Sequence, residues 1–218
     1  MAVVVGTKKV VFARSIFRYS IITMICLMVL FPLYWMIVTA IQPPDITLMY
    51  PPVLYPQDPN LDGFRELFRD NPMSKWLINS GFVALLATLI TTSFSVLGAY
   101  AISWFQWKGK TAFGLMLLFT QMLPEALIVI PIYKIYDQMH MLNNLAALSL
   151  IHAAFVIPVG VWILRPAFES IPSEVIEAAQ IDGCDHLAVL RKIIIPLCSP
   201  AIMAVSVVSF FASWGDYL

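Results

Sequence analysis

Five long apolar stretches, at 16–41, 76–104, 111–133, 145–164 and 201–218, take up most of a 218-residue chain. An α-helix needs about 20 mostly apolar residues to cross the hydrocarbon core of a bilayer, and each stretch approaches or exceeds that length. Composition agrees: 60% of residues are hydrophobic and only 12% charged, with a mean hydropathy of +0.83, far from the balance of a water-soluble domain. The expected fold is all-α, a polytopic transmembrane helix bundle. Residues 1–15 form a short arm and 16–218 one membrane domain.

The first stretch follows basic residues and contains Val38-Thr39-Ala40, which faintly resembles a signal-peptide cleavage site. Its apolar core is longer than a signal peptide's and includes Pro32, Tyr34 and Trp35, so a retained anchor is expected. Lys and Arg in short loops favour the cytoplasmic side. Lys8, Lys9, Arg14, Arg18, Lys108, Lys110, Arg165, Arg191 and Lys192 fall on one side of the five stretches, and Arg65, Arg69, Lys75 and Lys134 on the other. Nine against four places the N-terminus in the cytoplasm. Formal net charge is zero and no basic cluster is interleaved with aromatics, which argues against nucleic acid as a partner. Cys26, Cys184 and Cys198 lack metal-ligand spacing, and neither a disulfide nor a metal site is expected.

Seven prolines between Pro43 and Pro72 break the loop 42–75. Within it, Leu61, Phe64, Leu67 and Phe68 recur at helical spacing opposite Arg65, Glu66 and Arg69, which predicts a short amphipathic helix at the outer surface. That helix could face an external partner or simply cover the bundle. The second stretch carries Ser80, Ala84, Thr88, Thr91, Ser95 and Gly98 on a narrow stripe. Small and hydroxyl residues let helices approach in lipid, so a helix–helix seam and a polar pathway lining are both open. Glu125, beside Pro124 in the third stretch, is an acid at membrane depth, where it must face a cavity, pair, or be protonated. Glu125, Asn79 and Thr88 are the candidate translocation-path residues. His152 is expected to be a packing histidine.

The fourth and fifth stretches are joined by RPAFESIPSEVIEAAQIDGCDHLAVLRKIIIPLCSP, residues 165–200. Pro172 suits a helix start, Glu174 and Glu177 suit its N-terminal dipole, and Gly183 supplies a stop that can adopt positive φ. Asp182 or Asp185 can cap a second helix, with Leu187, Leu190, Ile193 and Ile194 as its stripe and Pro196 at its end. The expectation is helix, glycine turn, helix, with Ala178 and Ala179 as a small face fit for a groove. A mere cover over the bundle is the competing reading.

Glu177-Ala178-Ala179, Asp182-Gly183 and then Pro196 with Pro200 resemble the EAA motif of permease subunits from binding-protein-dependent ABC importers. The likeness covers nearly the whole chain and is similar to the carbohydrate branch, the maltose-type second permease. It rests on Phe31-Pro32-Leu33-Tyr34-Trp35-Met36, Trp76-Leu77-Ile78-Asn79-Ser80, Gly98-Ala99-Tyr100-Ala101, Gln121-Met122-Leu123-Pro124, Pro131-Ile132-Tyr133 and Ile171-Pro172-Ser173-Glu174. The resemblance implies an ABC type I importer permease fold in which Glu177, Ala178, Ala179, Asp182 and Gly183 contact an ATPase subunit. It also implies a second permease, an external solute-binding protein and surrounding membrane lipid as partners, with ATP and Mg held by the ATPase and no cofactor on this chain. Cys184 stands where the family usually has alanine, and Trp214-Gly215-Asp216-Tyr217 where it commonly has Trp-Asn-Glu-Phe. The family has six spans and five are visible here, so a chain truncated at its C-terminus is expected.

The chain has no Walker-type glycine loop, and no paired nucleophile and base or paired aspartates that an intramembrane protease would need. The expected role is a non-enzymatic inner-membrane permease subunit for a carbohydrate or polyol. The alternatives are a permease for a non-sugar solute and a channel or structural membrane protein without a motor.

Overall fold

The computed structural model describes residues 3–215, except for the side chains of residues 3–11, 13, 44 and 125. Two units are described separately, 1–74 and 75–218. The first holds α1 (Val3–Ile41), a single turn α2 (Pro44–Thr47) and α3 (Asp62–Asp70). Helix α1 is apolar from Tyr19 onward, and its described large side chains are mostly exposed. Its end is tied to the following loop: the Asn60 amide donates to the Ile41 carbonyl at 2.7 Å, and the Tyr34 hydroxyl donates to the Leu54 carbonyl at 2.6 Å. The amphipathic helix expected between Leu61 and Phe68 is α3.

The second unit is built on α4 (Met73–Trp104), α7 (Leu145–Glu169) and α11 (Ser199–Trp214). The stripe on α4 is the seam where these helices meet. Ala84, Thr91 and Ser95 are fully buried, and Ser95 donates through Oγ to the Ile157 carbonyl on α7 at 3.2 Å. Thr92 and Ser206 share a hydrogen bond of 3.0 Å between α4 and α11. Gly160 lies where a Cβ would collide with Ser95 Oγ and come within 3.0 Å of Val205. Close approach of backbones, with hydroxyls bonded to neighbouring carbonyls, is how helices associate where lipid removes the hydrophobic driving force.

The third apolar stretch is two helices, α5 (Lys110–Thr120) and α6 (Glu125–Gln138), separated by a turn that ends at Pro124. Proline disfavours helix at the residue before it, and Leu123 takes a bend instead. Among the described residues, three helices are long and apolar enough to span a bilayer, and a fourth candidate is bent by 80° around residue 198. Among the described residues only the third of the five stretches is split, and the fifth is α11, which follows the bend. Helix α7, formed by the fourth stretch, also runs past residue 164 to Glu169, with Pro166 inside it and Arg165 paired to Glu169 at 2.7 Å.

Candidate functional site

The segment after α7 folds as helix, glycine turn, helix. Pro172 caps α8 (Ser173–Ile181) from an extended conformation at φ −60°, ψ 139°. At the far end Gly183 sits at φ +86°, its amide bonded to the Gln180 carbonyl at 3.0 Å, while the Cys184 amide bonds to the Ala179 carbonyl at 2.9 Å. This pair is the Schellman closure, which needs a left-handed residue at the Gly183 position. Of the two capping candidates it is Asp185 that begins α9 (His186–Val189), accepting from the Ala188 amide at 2.7 Å.

The second helix does not stop at Pro196. It widens into one π turn at Leu190–Ile194, continues as α10 (Ile195–Leu197) and breaks at Cys198. Pro196 has no N–H to give the carbonyl one turn back. The Ile195 amide reaches back to the Leu190 carbonyl across the π turn, so the shift in hydrogen-bond register falls just before the proline.

The element is seated in the core rather than laid over it. Ile176, Ala179, Val189, Leu190 and Ile194 are buried in one apolar cluster with Val96, Ile102, Leu164 and Phe168 of α4 and α7. Tyr100 of α4 donates its hydroxyl to the His186 carbonyl at 3.1 Å. Phe105 packs on both rings, 5.3 Å from Tyr100 and 4.9 Å from His186. Nothing in the sequence pairs His186 with these aromatics, which lie near and just beyond the end of the second stretch.

Facing away from that cluster, Glu177, Ala178, Asp182 and Gly183 are exposed, together with Ile181 at 86% and Leu187 at 67%. Ala179 is the exception among the five expected contact residues. It is 8% exposed and packs inward, so the small outward face consists of Ala178 alone. The reason is periodic: Ile176 and Ala179 are three apart and share the inner face.

Of the path candidates, Asn79 and Thr88 do not share a face of α4. Thr88 donates back to the Ala84 carbonyl within its own helix at 2.7 Å, and Asn79, half-buried, lies nine positions earlier on α4, which at about 100° per residue is the opposite face. Glu125 opens α6, and its side chain lies outside the described residues, as do Asp216 and Tyr217. His152 is buried in α7. A cleft of about 370 Å³ lies beside the α5–α6 break, lined by Thr120, Gln121, Leu123, Tyr136, Phe155 and aliphatic side chains of α6 and α7. There Gln121 donates from Nε2 to the Phe155 carbonyl at 3.0 Å. Among the described residues no His, Cys, Asp or Glu group is arranged to hold a metal, and the three thiols are free.

Apolar helices of spanning length around a hydroxyl-lined seam, with a Schellman-closed two-helix element that keeps one face exposed, define a multi-pass helical membrane protein. Residues 95–218 match the family described as binding-protein-dependent transport system inner membrane component, and the chain belongs to that family. It is 31% identical over 189 residues to the sulfoquinovosyl glycerol transport system permease protein SmoH of Agrobacterium fabrum, covering 87% of this chain and 66% of that protein. Against the trehalose/maltose transport system permease protein MalG of Thermococcus litoralis it is 31% identical, covering 87% and 68%. The chain thus spans about two thirds of these relatives. In fold it is similar to a chain from the crystal structure of a bacterial ABC transporter involved in import of the acidic polysaccharide alginate, with a TM-score of 0.79 at 24% identity, covering 94% of this chain and 72% of that one.

Proposed function

We propose that the chain acts as a permease subunit of an ATP-driven importer, moving a carbohydrate or related polyol delivered by an external solute-binding protein. The N-terminus is cytoplasmic in this reading, and α8 with its glycine turn is the contact for a separate ATPase subunit that holds ATP and Mg. A second permease chain completes the pathway. The observation that carries the reading is the Schellman-closed α8–α9 element. Its inner face, Ile176 and Ala179, is locked to the cores of α4 and α7, while Glu177, Ala178, Asp182 and Gly183 stay exposed. A contact that must transmit a push needs a stiff link to the spans and a free face for the motor, and a helix set in a groove is a common way to dock. Closing of the motor would then tilt the spans and alternate the access of the pathway. A carbohydrate solute is supported by the names of the relatives, which are said to handle sulfoquinovosyl glycerol and trehalose or maltose.

The test is purification of the tagged, full-length protein from its native membrane, followed by ATPase measurement with and without its solute-binding protein and candidate carbohydrates. A nucleotide-hydrolysing chain should come with it, and hydrolysis should rise when the binding protein and the correct carbohydrate are both present. Recovery without any nucleotide-binding chain sinks the importer reading. Stimulation by a non-sugar solute alone sinks only the carbohydrate assignment.

A further inference from the structure

Residues 48–68 present a dense set of large apolar side chains to their surroundings. Leu48, Met49, Tyr50, Leu54, Tyr55 and Phe68 are each between 52% and 96% exposed. In water such a surface would be a liability, and two hydrogen bonds fix how far it stands from the bilayer. From Tyr19, the first residue after Arg18, to Ile41, α1 rises roughly 35 Å, against a hydrocarbon core of about 30 Å. With Arg18 at one boundary, Ile41 lies within a few ångströms of the other, and the bond from the Asn60 amide to the Ile41 carbonyl starts α3 at that level.

Tyr34 lies about two turns, or roughly 10 Å, deeper than Ile41, and helical side chains lean toward the helix N-terminus. Its hydroxyl nevertheless meets the Leu54 carbonyl, so the loop folds back along α1 to a depth at or below the boundary. A carbonyl carried to that depth needs a partner, and Tyr34 is that partner.

We propose that residues 48–68 form an interfacial anchor, seated at the headgroup–acyl boundary of the leaflet at the Ile41 end of α1, with electrically neutral phospholipid as its partner. The aromatics fit that level, where tyrosine and tryptophan collect. Leu61, Phe64, Leu67 and Phe68 form the apolar side of α3, and its polar side is internally compensated: Arg65 pairs with Asp62 at 3.0 Å and Arg69 with Asp70 at 2.8 Å. With Glu66 added, α3 has more acidic than basic groups, so attraction to anionic lipid, the usual supplement for interfacial helices, is not what holds it.

The test uses the full chain with the subunits that purify with it, in phosphatidylcholine nanodiscs, with Cys26→Ser and Cys184→Ala removing the accessible thiols. Nitroxide labels are placed singly through Tyr55→Cys, Phe68→Cys and, on the polar side of α3, Glu66→Cys; Met49→Cys is a second apolar site in case a label perturbs one position. The ratio of collision rates with oxygen and with a water-soluble nickel chelate should be about tenfold higher at positions 49, 55 and 68 than at 66, as depth at the interface requires. Replacing a third of the lipid by phosphatidylglycerol should leave the ratios within about twofold. Equal ratios at all positions would place the segment in water, and low collision with both reagents at 55 and 68 would place it under another protein chain. Either result overturns the proposal, and a strong dependence on phosphatidylglycerol overturns the choice of neutral lipid.

Discussion

Gly183 and Gly160 are glycines for opposite physical reasons, and each makes a separate prediction. At Gly183 a Cβ would meet nothing within 4 Å, but the backbone is at φ +86°. Gly183→Ala should therefore cost about 1–2 kcal/mol of left-handed strain, confined to the turn. Hydrogen exchange should quicken at the 183 and 184 amides that close the Schellman motif while the α4 and α7 amides keep their protection; unchanged exchange at the turn would contradict the strain argument. Gly160 is an ordinary helical residue with no room: a Cβ there would collide with Ser95 Oγ and press on Val205. Gly160→Ala should lower the melting temperature of the purified protein by an amount equivalent to about 1–3 kcal/mol, and Ser95→Gly in the same chain should recover much of it. If Gly160→Ala alone melts like the parent, α4 and α7 are further apart than described. The two positions also differ in legibility. Asp182-Gly183 after an amphipathic helix is a local signal, whereas the need for glycine at 160 arises from a residue sixty-five positions earlier in the chain.

At the level of elements, the sequence located α3, α8 and α9 because each carries its own punctuation: an apolar stripe, a proline at the start, a glycine or aspartate at the turn. It misplaced what depends on how a helix accommodates an interruption. Pro196 reads as a stop, yet the π turn at Leu190–Ile194 lets the helix pass through it to Leu197. Pro124 lies inside an unbroken apolar stretch, and it separates α5 from α6. Ala178 and Ala179 are equivalent in the motif, but burial separates them. Ala179→Trp forces a large ring into the cluster of Ile176, Val189 and Leu190 and should lower thermal stability by overpacking. Ala178→Trp, on the exposed face, should leave the melting temperature within about 1 °C and act on the proposed ATPase contact, seen as reduced recovery of that subunit. Equal loss of stability in both variants would show that Ala178 is also a packing residue.

Across the whole molecule, the all-α membrane architecture follows from apolar length alone, because only a helix satisfies its backbone within one segment in lipid. Which stretches cross without interruption does not follow, since hydropathy averages over a break such as 121–124. The seam of α4, α7 and α11 was half legible: the stripe of small residues was plain, while the choice between seam and pathway needed the neighbours that bury Ala84, Thr91 and Ser95. Orientation rests on charge, and it can be tested directly. Basic loops are held in the cytoplasm, so the proline-rich loop 42–75 should be external, and the α4–α5 turn with Lys108 and Lys110 should be internal. Gln57 and Lys108 are both exposed, and Gln57→Cys and Lys108→Cys can be introduced singly after Cys26→Ser and Cys184→Ala remove the accessible thiols. A membrane-impermeant maleimide added to intact cells should label position 57 and leave position 108 unlabelled until the membrane is permeabilised. The reverse pattern would invert the topology and put the α8–α9 element on the face away from any cytoplasmic motor, which would remove the proposed coupling role however well its geometry suits it.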